Sequence, residues 1–268
     1  DQGDRLSMSH TLPTVQLAYE ERGSGMPVVL LHGYPLDHTL WRAQMAALGN
    51  AYRVIAPDLR GHGASPAPEG EYSMEVLAAD VAALLDRLGV ERAVWVGHSM
   101  GGYVALAALR TSPERVAGLA LCASHPFADP PEKAASRRES AAQALREGTA
   151  SVVSGMLPLL FRPGTNLETI SAHLVRSMML RTPPQGVAGV LAGMAARPDA
   201  VDVLRSPDPP KAILAGREDQ IVKLADLQTL VAELPHVALH VIDGAGHLPM
   251  IEQPEATTAA LRAFLAAL

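Results

Sequence analysis

A serine with a glycine two positions away on each side stands between a predicted strand and a predicted helix. Ser99 is the centre of the segment GHSMG (97–101), which follows the apolar run 93–96 and precedes a helical pattern over 103–109. A turn this sharp brings the strand and the helix so close that side chains at the flanking positions would collide, so glycine is required there. The pattern predicts that Ser99 projects from the end of the strand as a nucleophile.

A serine hydroxyl is a weak nucleophile at neutral pH, and it needs a neighbouring general base that a carboxylate orients. His247 follows the last predicted strand in a glycine-containing loop, and Asp219 follows the strand before it. An imidazole has a pKa near neutrality, so it suits taking the serine proton and returning it to a leaving group. The chain order Ser99, Asp219, His247 is the order expected for a serine on this kind of turn.

Other residues compete for the roles of acid and base. Glu218 stands beside Asp219, and Asp129 follows the preceding predicted strand, so both are alternatives for the acid. His247 alone follows the final strand in a loop that is free to reach across the edge of the sheet. The other histidines considered for the base are those at positions 62, 125, 236 and 240.

Two backbone N–H groups are predicted to form an oxyanion hole, which stabilises the negative charge that develops on an attacked carbonyl. One belongs to Tyr34 in the segment HGYP (32–35), at the end of an early predicted strand, and the other to Met100. Losing one such donor typically costs roughly 3 kcal/mol of transition-state stabilisation. Hydrogen-bonding or packing roles are predicted for His32, beneath the first of these segments, and for His98.

Four side chains are predicted to contact a substrate, namely Tyr34, His125, Met156 and Leu248. Met156 belongs to a segment that contains several methionines, and adaptable methionines suit a cap over an apolar cavity. We expect no bound metal, because no His, Cys or carboxylate residues show the spacing of metal ligands.

The predicted elements alternate between strand and helix, except in one long segment. After an early strand over 15–22, the predicted strands are 27–31, 53–56, 93–96, 116–123, 211–215 and 238–242. This alternation predicts an α/β fold with a mainly parallel central sheet and helices on both faces. Residues 125–206 show only helical patterns, so they are predicted to form an all-helical cap inserted into a core domain of residues 8–124 and 207–268.

Composition argues against several classes of function. The chain has 268 residues, of which 48% are hydrophobic and 19% charged, as suits one large domain with a sizeable core. The formal net charge is −6 without a basic cluster, so neither nucleic acid nor a membrane is expected as a partner. No signal peptide or transmembrane segment is predicted, and the single cysteine, Cys122, is expected to be buried. We expect a cytoplasmic protein, monomeric or homodimeric, in which residues 1–7 carry no structure.

On these residues the chain resembles the α/β-hydrolase superfamily. It is most similar to the small capped members related to bacterial carboxylesterases, epoxide hydrolases, haloalkane dehalogenases, cofactor-free haloperoxidases and enol-lactone hydrolases. The resemblance extends over nearly the whole chain. It rests on the segments HGYP (32–35), DLRGHGAS (58–65), GHSMGG (97–102), and GRED (216–219) followed by GH (246–247).

Departures from the family patterns narrow the expected activity. Dehalogenases and epoxide hydrolases of this family carry an aspartate where this chain has Ser99, which argues against both. The haloperoxidase-like members usually carry a tryptophan near the serine or in the oxyanion loop, whereas this chain has only Trp41 and Trp95. The resemblance implies hydrolysis of a small-molecule carboxylic ester through an acyl-serine intermediate, without a cofactor. The alternatives are a lactone or carbon–carbon bond hydrolase, or a hydrolase-like receptor for a small ligand.

Overall fold

The computed structural model describes residues 13–268, and a seven-stranded sheet runs through its centre. The strands in chain order are β1 (Tyr19–Arg22), β2 (Pro27–Leu31), β3 (Arg53–Pro57), β4 (Ala93–His98), β5 (Val116–Cys122), β6 (Lys211–Gly216) and β7 (Val237–Ile242). Their order across the sheet is β1-β3-β2-β4-β5-β6-β7. Only β1 is antiparallel to its neighbour, so the predicted, mainly parallel sheet is confirmed.

The first strand is shorter than predicted, because side chains take the hydrogen bonds that would extend it. The backbone N–H of Val15 donates to Asp80, and that of Ala18 donates to the hydroxyl of Ser65. The strand predicted over 15–22 is therefore limited to residues 19–22. The prediction that residues 1–7 carry no structure lies outside the described residues.

The inner strands are buried on both faces. In β4 every residue is buried, and in β2 all but the first are. A continuous apolar run is what a parallel strand covered by helices on both sides requires. Two hydrophobic clusters result, one on each face of the sheet, and Cys122 is buried in the second of them, as expected.

Eleven α-helices surround the described sheet. They are α1 (Arg42–Leu48), α2 (Met74–Arg87), α3 (Met100–Thr111), α4 (Pro131–Glu147), α5 (Ala150–Leu160), α6 (Ile170–Arg181), α7 (Pro184–Ala196), α8 (Val201–Arg205), α9 (Leu224–Ala232), α10 (Pro249–Glu252) and α11 (Pro254–Ala266). The sequence did not predict α8 and α10, which are too short to show a helical period. Within residues 13–268 no helix is both long and apolar enough to cross a membrane.

Helices α4 to α8 lie between β5 and β6, in the segment predicted to form the cap. No strand interrupts them in this fully described part of the chain. The exact limits of core and cap, at residues 125 and 206, stay a prediction.

A buried ion pair fastens the start of the described chain to α2. The Nε and Nη2 atoms of Arg60 lie 2.7 and 2.8 Å from the two carboxylate oxygens of Asp80, and both side chains are 1% exposed. Arg60 also donates to the carbonyl of Pro13, and Asp80 accepts from the N–H of Val15. Removing one partner of such a pair leaves the other charge buried without compensation.

We therefore expect Asp80→Ala to lower the free energy of unfolding by about 3–5 kcal/mol, as measured by urea denaturation. The matched control is Asp86→Ala on the same helix, because Asp86 pairs with Arg115 but its side chain is 64% exposed. Exposed pairs contribute roughly 1 kcal/mol or less. Equal losses in the two variants would contradict the structural role given to Asp80.

Candidate active site

Ser99 lies at the turn between β4 and α3 in a strained backbone conformation. Its φ and ψ angles are 50° and −114°, a region that side-chain-bearing residues rarely occupy. A Cβ atom on Gly97 would overlap the backbone of Gly101, and one on Gly101 would lie 2.5 Å from the carbonyl oxygen of Leu31. The requirement for glycine at both flanking positions is thus confirmed, and the strained turn leaves the Ser99 side chain partly exposed.

Three loops at the carboxyl ends of β4, β6 and β7 bring the predicted triad together. The Nε2 atom of His247 lies 2.9 Å from the Oγ of Ser99, and its Nδ1 atom lies 2.8 Å from Oδ2 of Asp219. The other carboxylate oxygen, Oδ1, accepts from the backbone N–H groups of Ile221 and Val222 at 2.8 and 3.0 Å. Both oxygens of Asp219 are therefore held in fixed directions.

The electrostatics keep Asp219 ionised. Burial alone would raise its pKa, but the charge and hydrogen bond of His247 and the backbone donors outweigh that effect, so the pKa lies below its ordinary value. An ionised carboxylate accepts a hydrogen bond from the Nδ1–H of the imidazole, which leaves the lone pair of Nε2 free to accept from the Ser99 hydroxyl. The arrangement is suited to general-base activation of a serine.

His98 makes a contact with the catalytic loop that the sequence did not specify. Its Nε2 atom donates to the backbone carbonyl of His247 at 2.8 Å, and it is fully buried. Burial, together with the neighbouring imidazole of His247, lowers the pKa of His98 to about 3, so this ring is neutral at pH 7. A Cβ atom on Gly33 would lie 2.5 Å from the same ring, so His98 touches both the oxyanion loop and the histidine loop.

The two predicted oxyanion donors are free. Neither the N–H of Tyr34 nor that of Met100 donates to any protein acceptor within residues 13–268. The loop before Tyr34 is fixed by His32, whose Nδ1 donates to the carbonyl of Gly33 and whose Nε2 accepts from the N–H of Leu59, both at 2.9 Å. His32 therefore has the structural role that was predicted for it.

The four predicted substrate contacts have different surroundings. The Tyr34 hydroxyl is buried without a hydrogen-bond partner among the described residues. Met156 packs against both hydrophobic clusters, whereas Leu248 has no exposed surface. Both ring nitrogens of His125 are engaged, because Nδ1 accepts from the N–H of Phe127 and Nε2 faces the hydroxyl of Tyr103 at 3.2 Å. These contacts fix the orientation of the His125 ring, and its contact with a substrate stays a prediction.

The alternative acids do not reach His247. Asp129 accepts from the Nε of Arg137 and from Nη2 of Arg197, at 2.5 and 2.9 Å. Burial alone would raise the pKa of Asp129, but these hydrogen bonds lower it to about 2. The side chain of Glu218 makes no hydrogen bond or ion pair with another described residue.

One group of possible metal ligands comes together in the fold, although the sequence shows no ligand spacing, and the expectation of no bound metal stays a prediction. Atoms of Asp37, His38 and Asp58 lie within 4.8 Å of one another. Protein donors already occupy them, since Asp58 accepts from the ring and N–H of His38 and Asp37 is paired with Arg181. The group was not apparent in the sequence because Asp58 is 20 residues from His38. Asp58 also accepts from the N–H of Ala64, so it braces its own turn.

Comparisons with known proteins show to which family the chain belongs. Residues 28–261 match the model of the alpha/beta hydrolase family. A non-heme chloroperoxidase from Streptomyces lividans is 34% identical over 260 residues, which cover 90% of this chain and 92% of that protein.

Two solved structures are also similar. A thermophilic esterase from Thermogutta terrifontis, solved with malate bound, superposes with a TM-score of 0.91 and 41% identity over 94% of each chain. An enol-lactonase from Burkholderia xenovorans LB400 has a TM-score of 0.86 and 28% identity over 94% of this chain and 97% of that one. The family match over most of the chain establishes that this protein belongs to the alpha/beta hydrolase family.

Proposed function

We propose that the protein is a serine hydrolase that cleaves carboxylic esters of small molecules. The observation that carries the proposal is the unbroken series of hydrogen bonds from Ser99 through His247 to Asp219. Two backbone N–H groups without an acceptor among residues 13–268, those of Tyr34 and Met100, follow the carboxyl ends of the neighbouring strands β2 and β4. A nucleophile, a base, an orienting acid and two oxyanion donors are the groups that acyl transfer requires.

The proposed reaction has two halves. His247 Nε2 takes the proton of the Ser99 hydroxyl while Oγ attacks the ester carbonyl, and the N–H groups of Tyr34 and Met100 bind the resulting oxyanion. The carbon–oxygen bond to the alcohol then breaks, and the alcohol leaves with the proton from His247. In the second half His247 deprotonates a water molecule, which attacks the carbonyl carbon of the acyl-serine. The bond from that carbon to Ser99 Oγ then breaks, Oγ takes the proton back from His247, and the acid is released.

Ester hydrolysis is favoured over the other reactions of the relatives. The esterase from Thermogutta terrifontis is 41% identical to this chain. The second candidate is lactone hydrolysis, which the enol-lactonase from Burkholderia xenovorans supports, because a lactone is a cyclic ester and needs the same catalytic groups. Carbon–carbon bond cleavage and a receptor with slow turnover are the remaining alternatives.

A fluorophosphonate probe and a substrate panel test the proposal. The Ser99 oxygen is expected to displace fluoride from phosphorus, so peptide mass spectrometry should find one adduct, on Ser99, that is absent after heat denaturation. The panel consists of p-nitrophenyl esters, γ- and δ-lactones and a vinylogous diketone. Faster turnover of lactones than of esters would favour the second candidate. An unlabelled Ser99 together with no turnover of any compound would refute the hydrolase proposal.

A further inference from the structure

A cluster of cationic side chains surrounds one buried carboxylate at the start of the helical segment between β5 and β6. Asp129, whose side chain is 1% exposed, pairs with Arg137 at 2.5 Å and with Arg197 at 2.9 Å. The Nζ of Lys133 lies 3.9 Å from the same carboxylate. Lys133 and Arg137 are one turn apart on α4, so both face Asp129. Three positive charges therefore share one negative charge.

The surplus of positive charge has no counter-charge within the described chain. No second acidic side chain of residues 13–268 forms an ion pair with Arg137, Arg197 or Lys133. Partly buried charge without compensation is costly for folding, so a site that retains it is a candidate for binding a ligand of opposite charge. The surplus is local, because the whole chain has a net charge of −6.

The two arginines are engaged to different degrees. Arg197 is 4% exposed and donates to the carbonyls of Met194 and Phe127 as well as to Asp129. Arg137 uses only its Nε atom, and neither of its terminal nitrogens has an acceptor among the described residues. Its side chain is 17% exposed. A guanidinium group with both terminal nitrogens free presents the paired donors that bind a carboxylate in a bidentate manner.

The cluster adjoins helix α3, which begins directly after Ser99. Arg197 lies over the ring of Tyr103, 3.9 Å from the guanidinium carbon to the ring centroid, and Tyr103 is one helical turn beyond Ser99. Tyr34, in the oxyanion loop, is 5% exposed, and its hydroxyl has no partner within residues 13–268. Burial raises the pKa of Tyr34, and the positive charge of Arg137 partly opposes that rise.

We propose that Arg137, assisted by Lys133 and the Tyr34 hydroxyl, binds a carboxylate group that the ester substrate carries in addition to its scissile bond. The preferred substrates are then half-esters of dicarboxylic acids or carboxylated lactones. This inference rests on the proposed hydrolase activity and adds the charge of the substrate to it. Arg197 and Asp129 position the Arg137 side chain and do not contact the ligand.

Two substrates with the same acyl chain and different charge test the inference. One is the mono-p-nitrophenyl ester of adipic acid, and the other is the methyl ester of that compound, which is neutral. We expect the unmodified protein to favour the charged substrate in kcat/KM. In Arg137→Gln the charged-to-neutral ratio of kcat/KM should fall about 10- to 100-fold, as expected for a charge-assisted bidentate contact. The control is Arg138→Gln, an exposed neighbour on α4, which should retain the original ratio.

A binding measurement gives a readout that does not depend on turnover. Adipate should bind to Ser99→Ala with a heat that calorimetry can measure. Adding Arg137→Gln to that variant should abolish the heat of binding. Asp129 keeps Arg197 as a partner in this variant, so it should fold. If Arg137→Gln does not fold, Arg137→Lys takes its place, because lysine keeps the charge and loses the paired donors. This variant should lower the charged-to-neutral ratio of kcat/KM about threefold to tenfold.

The outcomes separate the two proposals. The unmodified protein and Arg137→Gln could turn over both esters with the same charged-to-neutral ratio of kcat/KM, and adipate could fail to bind. That result would overturn the carboxylate site and leave the hydrolase proposal intact. Failure of the unmodified protein to turn over either ester or to react with the fluorophosphonate would refute the hydrolase proposal. Adipate binding that persists at full strength without Arg137 would also overturn the assigned site.

Discussion

Ser99→Ala is expected to lower kcat for p-nitrophenyl esters by roughly 10⁴-fold or more, because no acyl intermediate forms without the hydroxyl. The fold should be unaffected. The Ser99 side chain is partly exposed, and its Oγ has one protein partner among the described residues, His247 Nε2, which can bind water after the substitution. Alanine has a Cβ atom as serine does, so the strained backbone at φ 50° is not changed. Stopped-flow release of p-nitrophenol and a thermal melt give the two measurements.

A suitable control is Ser154→Ala, a serine exposed on α5, which should retain full activity. The variant preparation must be shown by mass spectrometry to be free of unmodified protein, since a trace of it would dominate the residual rate. Activity above about 1% in a clean Ser99→Ala preparation would mean that another group attacks the ester, and the proposed mechanism would be wrong.

The sequence predicted those features of the site that depend on local geometry. The glycines at 97 and 101 follow from the space available at a tight turn between strand and helix, which does not depend on the rest of the fold. The parallel arrangement of β4, β6 and β7 follows from alternation of strands and helices, and it brings their carboxyl ends to one edge. The proximity of Ser99, Asp219 and His247 could therefore be predicted.

Contacts between distant segments could not be predicted in the same way. Asp129 and Asp219 both follow strands that end at the same edge, so sequence position alone could not distinguish them. The distinction comes from Arg197, which is 68 residues from Asp129 and binds it. Likewise, the hydrogen bond from His98 to the His247 carbonyl joins residues 149 positions apart. Lys133 and Arg137 did carry a local signal, their spacing of four residues on a predicted helix directly after Asp129.

The absence of a tryptophan at the positions of the family pattern is weaker evidence against a haloperoxidase-like protein than Ser99 itself is against a dehalogenase or an epoxide hydrolase. Trp41 and Trp95 are both fully buried, where they fill the core, and neither is at the positions that the family pattern uses. A non-heme chloroperoxidase is nevertheless 34% identical to this chain. Identity over a whole chain mainly reflects strands, turns and core positions, whereas substrate choice depends on a few side chains of the pocket.

Asp219→Asn is the second substitution for which a large effect is expected, because it changes which ring nitrogen of His247 carries the proton. Oδ1 of Asp219 accepts from the N–H groups of Ile221 and Val222. In the variant, the amide oxygen must remain at this position, because an NH₂ group there would face two donors. The NH₂ group then points at Nδ1 of His247 and donates to it. The imidazole is forced into the tautomer with its proton on Nε2, which cannot accept the proton of Ser99.

We therefore expect kcat of Asp219→Asn to fall about 10³- to 10⁴-fold with little change in KM, since the oxyanion donors and the pocket are retained. Glu218→Gln is the matched control, because it removes the same charge at the adjacent position, where the side chain has no partner among the described residues. Fluorophosphonate labelling of Ser99 should slow in parallel with kcat, which a change confined to substrate binding would not produce. Equal rates in Asp219→Asn and Glu218→Gln would show that Asp219 does not set the tautomer, and the acid would have to be sought elsewhere.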